Sequence, residues 1–253
     1  MNNILISNNK LNNYQDNNII IKDNTIKFLN NGEYNLEIIN SNNLNLNLEL
    51  KENITVKLFI LSINNNIISN ITYTLKKHSN LILFKFYNNK EVEEKETIYL
   101  EQEYSSISYN FSSICKKNEK YKMQIYHNDN HVTSNISNKC LGNNNSKITF
   151  DIDSILDKGN IGCYMNQDTK IICMGDVDAK INPNMYIEED DVEARHGSVI
   201  GKFNDEDLFY LMSRGIPKEE AIKLMIKGFI LSNLVVNMDN RAKILEIINK
   251  EYK

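Results

Sequence analysis

The sequence predicts an all-β body followed by a short helical tail. Two observations carry this. Between about residues 46 and 203, apolar side chains recur at every second position in a series of segments bounded by Asn, Ser, Gly or Asp. Beyond residue 203 the recurrence lengthens to three and four, the spacing of an amphipathic helix.

Residues 1–45 are polar, with short apolar patches at Ile19–Ile21 and Ile26–Phe28, and are expected to form an arm or weak strands. In the body, Ile54, Val56, Leu58 and Ile60 alternate with Thr55, Lys57 and Phe59, and Ile71, Tyr73 and Leu75 repeat the pattern. Leu81 to Tyr87 is a denser apolar run. Further strands are expected around Ile98–Leu100, Ile107–Phe111, Met123–Tyr126 and Ile148–Ile152. The apolar runs lack the spacing of about 8 to 12 residues typical of a sandwich. A parallel solenoid would give a weak repeat of this kind, but spacing alone leaves sandwich, barrel and solenoid open.

In the tail, Asn204 is a natural N-cap, with acidic residues in the first turn favoured by the helix dipole. Leu208, Leu211 and Met212 give this first helix an apolar face, Gly215 stops it, and Pro217 opens the next. Ala221, Ile222, Met225 and Phe229 continue at helical spacing. A third helix runs from about Met238, with Ile244, Leu245 and Ile248 on one side.

The composition excludes several classes. The 253 residues carry 29 Lys plus Arg against 33 Asp plus Glu, a net charge of -4 with no basic block, so neither a nucleic-acid footprint nor a polybasic membrane surface is expected. No apolar run approaches the roughly 18 residues of a membrane span, and the first ten residues do not resemble a signal peptide. The expected location is cytoplasmic. Cys115, Cys140, Cys163 and Cys173 show no metal-type spacing and read as free, mostly buried thiols. The 43 asparagines fit a composition rich in Ile, Lys and Asn, with most of the Asn at turns between apolar runs.

The densest run of chemically interesting residues is Glu188 to Gly197. Its acids read first as a solvated turn, with general acid–base work or binding of a hard cation as the alternatives. His196 could ligate a borderline metal such as iron, although a single His near a strand end is more often structural. His78, His127 and His131 are unremarkable, and His127 and His131 would share a face only on a helix. No nucleophile elbow, phosphate loop or dinucleotide fingerprint is present, so a binding or scaffold protein is favoured over an enzyme.

The stretch Asp191-Val192-Glu193-Ala194-Arg195-His196-Gly197-Ser198-Val199-Ile200-Gly201 continues through Asp207-Leu208-Phe209-Tyr210-Leu211-Met212-Ser213-Arg214-Gly215-Ile216 to Gly228-Phe229. It resembles the C-terminal signature of the SufB/SufD family, scaffold subunits of the SUF iron–sulfur cluster assembly machinery. Asn182-Pro183 with Met185 and Ile187 fits the preceding strand, and His127 with Thr133-Ser134-Asn135 also looks like a family segment. The match is strong over residues 165–230 and weaker back to about 120.

The resemblance implies a mainly β fold: a right-handed parallel β-helix over residues 46–203 and a helical region over 204–253. It implies that this region docks a SufC-like ABC ATPase, and that the β-helix pairs with a SufB-like subunit or a second copy. Phe209, Tyr210, Arg214, Gly215 and Phe229 fall in the docking region, although core packing is the favoured role for Phe209 and Phe229 individually. In the SufB branch the matching His is flanked by Glu and a cysteine lies about 28 residues upstream. Here Gly197 follows His196, and Asp168 falls near the upstream position. The SufD branch often carries Cys two residues before this His, where Ala194 stands. The chain therefore looks SufD-like, without the thiolate of SufB. His196 is carried over as a metal-ligating residue for a transient iron–sulfur cluster shared with a partner and not held stably by this chain alone. The chain is short for the family, whose N-terminal helical portion is not evident. The competing readings are a polysaccharide-acting β-helix enzyme using Glu188, Glu189 or Asp191, and a homodimeric structural paralogue without a metal role.

Overall fold

The computed structural model describes residues 2–12 and 16–252; residues 1, 13–15 and 253, which fall in the expected N-terminal stretch and tail, lie outside them. In chain order the elements are β1 (Asn2–Ser7), β2 (Lys10–Leu11), β3 (Ile19–Lys22), β4 (Thr25–Phe28), β5 (Gly32–Ile39), β6 (Asn43–Leu50), β7 (Thr55–Ile63), β8 (Asn66–Leu75), β9 (Asn80–Asn88), β10 (Glu91–Leu100), β11 (Ser106–Cys115), β12 (Asn118–His127), β13 (Thr133–Gly142), β14 (Ser146–Leu156), β15 (Cys163–Cys173), β16 (Val177–Ile187) and β17 (Val192–Gly201). The helices α1 (Asp205–Ser213), α2 (Lys218–Leu231) and α3 (Met238–Glu251) follow.

From β5 onward the strands alternate between two sheets. One has the order β17-β15-β13-β11-β9-β7-β5-β1-β2, the other β16-β14-β12-β10-β8-β6-β4-β3. Neighbours along each stack are parallel and in register: Leu83 faces Tyr109, and Tyr109 faces Ile136. A chain that switches sheets at every strand without reversing is a coil, here a parallel β-solenoid of about six turns. The resemblance had implied this fold, and the parallel pairing removes the sandwich and the barrel that spacing had left open. The sheets begin well before residue 46: β1 pairs with β5, β5 with β7 and β4 with β6, all in parallel.

The two ends of the stack differ. At the N-terminal end the edges are short antiparallel strands, β2 against β1 and β3 against β4, of two and four residues. At the C-terminal end the edges are β16 and β17, of eleven and ten residues. Long bare edges expose unpaired backbone groups that other chains can use.

Alternate burial along β8, β10 and β12 sends every second side chain inward. The denser run in β9 has a separate cause. Its outward residues Phe84 and Phe86, with Phe59, Leu61, Ile114, Leu141 and Ile172 from neighbouring coils, pack under Ile226 and Ile230 of α2 and Ile244 and Ile248 of α3. A strand covered on both faces reads as continuously apolar. Polar pins fix the helices to this sheet: Ser112 donates to the Ile230 carbonyl at 3.1 Å, Asn233 to the carbonyls of Phe111 and Ser137 at 2.8 and 2.9 Å, and Asn240 to Asn35 at 2.8 Å.

Asparagine serves the coil in two ways. Asn8, Asn9, Asn40, Asn53, Asn64 and Asn145 hold left-handed corner conformations with φ between 51° and 64°, where Asn is tolerated better than most residues. Others stack between coils, as where Asn70 donates to Asn45 at 3.1 Å and Asn166 to Asn135 at 2.8 Å.

The interior also holds charge. Lys85 is fully buried, with Nζ 2.6 Å from Glu94 and 2.8 Å from Glu96. Tyr73 and Tyr109 donate to Glu96, and Tyr87 and Ser69 to Glu94. Burial works against the Lys85 ammonium, but the two carboxylates outweigh it and hold its pKa above the ordinary lysine value. Removing one partner of such a set leaves a bare buried charge, a loss of about 3–5 kcal/mol.

A coil further on, buried Glu119 accepts from Ser113 at 2.8 Å and from the Cys140 thiol at 3.5 Å. Burial pushes Glu119 up to about 7, against hydrogen bonds that pull it down. The folded chain therefore holds a proton that the unfolded chain releases near 4.5, so this group's contribution to stability falls as pH rises between those values. Glu119→Gln should stabilise the chain by about 3 kcal/mol at pH 8 relative to its effect at pH 4.5. Urea unfolding of both chains at the two pH values checks this; an equal effect at both would contradict it.

Candidate functional site at the open end of the solenoid

The site is built by an unfinished coil. On β15 the inward row is Cys163, Met165, Gln167, Thr169 and Ile171, all buried. Their register partners on β17 are Val192, Ala194, His196, Ser198 and Ile200. In-register parallel strands keep the same facing, so these five form the inward row of the last strand. Val192 and Ala194 are half-buried, while His196, Ser198 and Ile200 are exposed. Ile171 is wholly buried and Ile200, one strand later, is 49% exposed. The same break occurs on β16, where Val177, Ala179, Ile181, Met185 and Ile187 are only half-buried although their β14 partners are buried. Pro183 sits on this edge strand, the place a sheet tolerates it.

His196 thus lies in the interior row of a coil that nothing among the described residues covers. Gln167 is its direct neighbour in the row beneath. Asp168, which the sequence placed near the upstream family position, is in register with Gly197 and faces the other side; a Cβ at Gly197 would meet Asp168 Oδ1 at 3.1 Å. On that outer side Arg195 pairs with Glu193 at 2.9 Å and reaches the Tyr164 hydroxyl at 2.9 Å.

The acid run forms the turn from β16 to β17. Glu188, Asp190 and Asp191 are exposed. Glu189 accepts the backbone N–H groups of Gly159 and Asp190, both at 2.9 Å, and these bonds lower its pKa. A glycosidase acid needs the opposite shift. The run fits the solvated-turn reading.

Of the other histidines, His127 is buried between the Ser134 hydroxyl at 2.8 Å and the Ile155 carbonyl at 3.1 Å, and burial lowers it to about 4. It is therefore neutral, with Nδ1 donating to the carbonyl and Nε2 accepting from Ser134. His131 and His78 occupy left-handed corners and stack on either side of Tyr104, with ring centroids 5.0 Å apart in each pair. All four cysteines are free, and burial is the leading cause that raises each thiol above its ordinary pKa. No helix among the described residues is long and apolar enough to cross a membrane.

The helical residues separate into two groups. Asn204 caps α1, its side chain accepting from the Glu206 N–H. Contrary to the expectation of core packing, Phe209 is 73% exposed and Tyr210 56% exposed, and α1 has no buried residue. The Arg214 guanidinium lies 5.2 Å over the Tyr210 ring, and Gly215 ends the helix at φ 86°. Phe229 instead packs edge-on against Phe203, with centroids 6.2 Å apart, under the Lys139 ammonium.

The family model described as SUF system FeS cluster assembly, SufBD core domain, matches residues 12–229. The chain belongs to the SufBD family. The curated SufBD relatives include the iron-sulfur cluster assembly protein SufD of Bacillus subtilis (strain 168), 55% identical over 49 residues, 19% of this chain and 11% of that one. The protein of the same name in Escherichia coli (strain K12) is 41% identical over 56 residues, 22% of this chain and 13% of that one. A SufBD family protein of Mycobacterium leprae is 50% identical over 58 residues, 21% of this chain and 15% of that one. The matched segments are thus a small part of each relative's length, and the relatives named SufD agree with the SufD-like reading of Ala194 and Gly197.

The geometry of α1 and α2 yields a stability prediction. Phe209→Ser and Tyr210→Ser should each change unfolding stability by no more than about 0.5 kcal/mol, whereas Phe229→Ala should cost about 1–3 kcal/mol. Urea titration checks both, and a large loss at Phe209 would contradict the placement.

Proposed function

We propose that this chain is a non-catalytic scaffold subunit for iron–sulfur cluster assembly, paired through its open solenoid end with a SufB-like subunit or a second copy. The observation that carries the reading is the uncovered inward row of β16 and β17, with His196 exposed at its centre. Half-buried Ala179, Ile181, Met185 and Ile187 leave apolar core surface facing solvent, and a second coil seated there would finish the core and bury it. Among the described residues no three His, Cys, Asp or Glu side chains gather as a metal site. His196 would then be one ligand in a set completed by the other subunit. The cluster is cargo, held transiently and shared, and the raised thiols of this chain leave imidazole as the donor it offers.

The second surface is the exposed face of α1, where Phe209, Tyr210 and Arg214 would meet a SufC-like ATPase. Aromatic and Arg side chains are favoured anchors of such contacts. Gly215 would serve by ending α1 and Phe229 by seating α2, both behind the contact rather than in it. ATP hydrolysis belongs to that partner, and rearrangement of its subunits would open or close the seam at His196. The setting is the cytoplasm.

Co-expression with SufB-like and SufC-like partners, anaerobic purification and iron and sulfide analysis test this. The expected result is a complex containing this chain, whose assembly survives His196→Ala while its iron and sulfide content falls. Complexes that form without this chain and assemble clusters equally well would overturn the proposal.

A further inference from the structure

We infer that Gln167 is a positioning residue for His196, its side-chain carbonyl accepting the imidazole N–H and fixing one tautomer. The inference rests on the proposed role of His196 and adds the group that would aim it.

Gln167 is 1% exposed. Its Nε2 donates to the Ser154 hydroxyl at 2.7 Å and to the Asn184 carbonyl at 3.2 Å. A carbonyl only accepts, so the group facing Asn184 must be the NH2, and the amide orientation is settled by its partners. The remaining atom, Oε1, is buried and has no hydrogen-bond partner among the described residues. A buried acceptor left in this state is costly and calls for a partner.

The register shows which neighbour can. In this inward column Tyr109, Ile136, Gln167 and His196 follow one another on successive strands. The Tyr109 hydroxyl is already spent on Glu96, and Ile136 has no polar group. His196, one strand spacing above at about 4.8 Å, carries an N–H and is exposed, so its ring is free to turn. A neutral imidazole that gives its N–H to Gln167 Oε1 presents the lone pair of its other nitrogen elsewhere. On this coil the uncovered direction is the open end. A ligating histidine is ordinarily held by such a bond on its second nitrogen. Gln167 thereby links His196 through Ser154 and Asn184 to the facing sheet.

The test uses the full chain with 15N-labelled histidine, recorded in mildly alkaline buffer, with His196 assigned by its absence in His196→Ala. The expected result is one tautomer at His196 in the native chain, a mixture in Gln167→Met, which keeps the shape but lacks the acceptor, and a single tautomer again in Gln167→Glu. In the co-purified complex, Gln167→Met should bind iron about 10- to 100-fold more weakly. A single tautomer that depends on Gln167, together with His196→Ala complexes of unchanged iron content, supports the positioning bond and refutes the ligand role. The same tautomer populations in the native chain and in Gln167→Met overturn the inference. If Gln167→Met fails to fold, the native chain and Gln167→Glu decide: a mixture of tautomers in either overturns it.

Discussion

In-register parallel stacking governs this molecule. Each strand of a coil lies on the strand of the coil before, so each inward side chain is covered by the residue at the same place one turn later. Leu83, Tyr109, Ile136 and Gln167 are covered in this way, and the column then reaches His196. The rule that buries the core also dictates that the last row is left open. At the N-terminal end short antiparallel strands close the stack. At the C-terminal end nothing among the described residues does, and a ligand-type side chain stands in the open row.

The same stacking explains the polar interior. Lys85 and Glu94 lie on facing sheets, so coil closure brings ammonium and carboxylate together in a space from which water is excluded. Glu119 lacks a cation of this kind and is held near its protonated form by burial. Neutralised charge and aromatic packing fill the middle coils. At the open end Gln167 Oε1 and His196 stand next to one another on adjacent strands.

Much of this was legible in the sequence. Period-two patterning marked the strands, and Asn204, Gly215 and the 3.6-residue spacing marked the helices, because these depend on local geometry. Coil register was not legible. Stacked residues are 25 apart at Asn45 and Asn70 but 31 apart at Asn135 and Asn166, since the turns differ in length. No fixed repeat lines them up, so nothing in the sequence shows that the coil neighbour of His196 is Gln167. The burial of Lys85 and Glu94 was not legible either, because a strand sequence does not say which face carries the core until both neighbours are known. Phe209 looked like core because an aromatic residue in an amphipathic helix usually is, and only the packing of α1 shows it exposed. The N-terminal strands were read as weak because their apolar runs are short; parallel pairing with the coils that follow supports them.

The central claim is that the last coil is a pairing edge. Hydrogen exchange of the β16 and β17 amides, measured for the chain alone and in complex with a SufB-like subunit, tests it most directly. The account predicts that amides on the free sides of these two strands exchange rapidly in the isolated chain and become protected in the complex, while β9 to β12 do not change. Equally rapid exchange at β16 and β17 in both states, with protection appearing on another face, would contradict it.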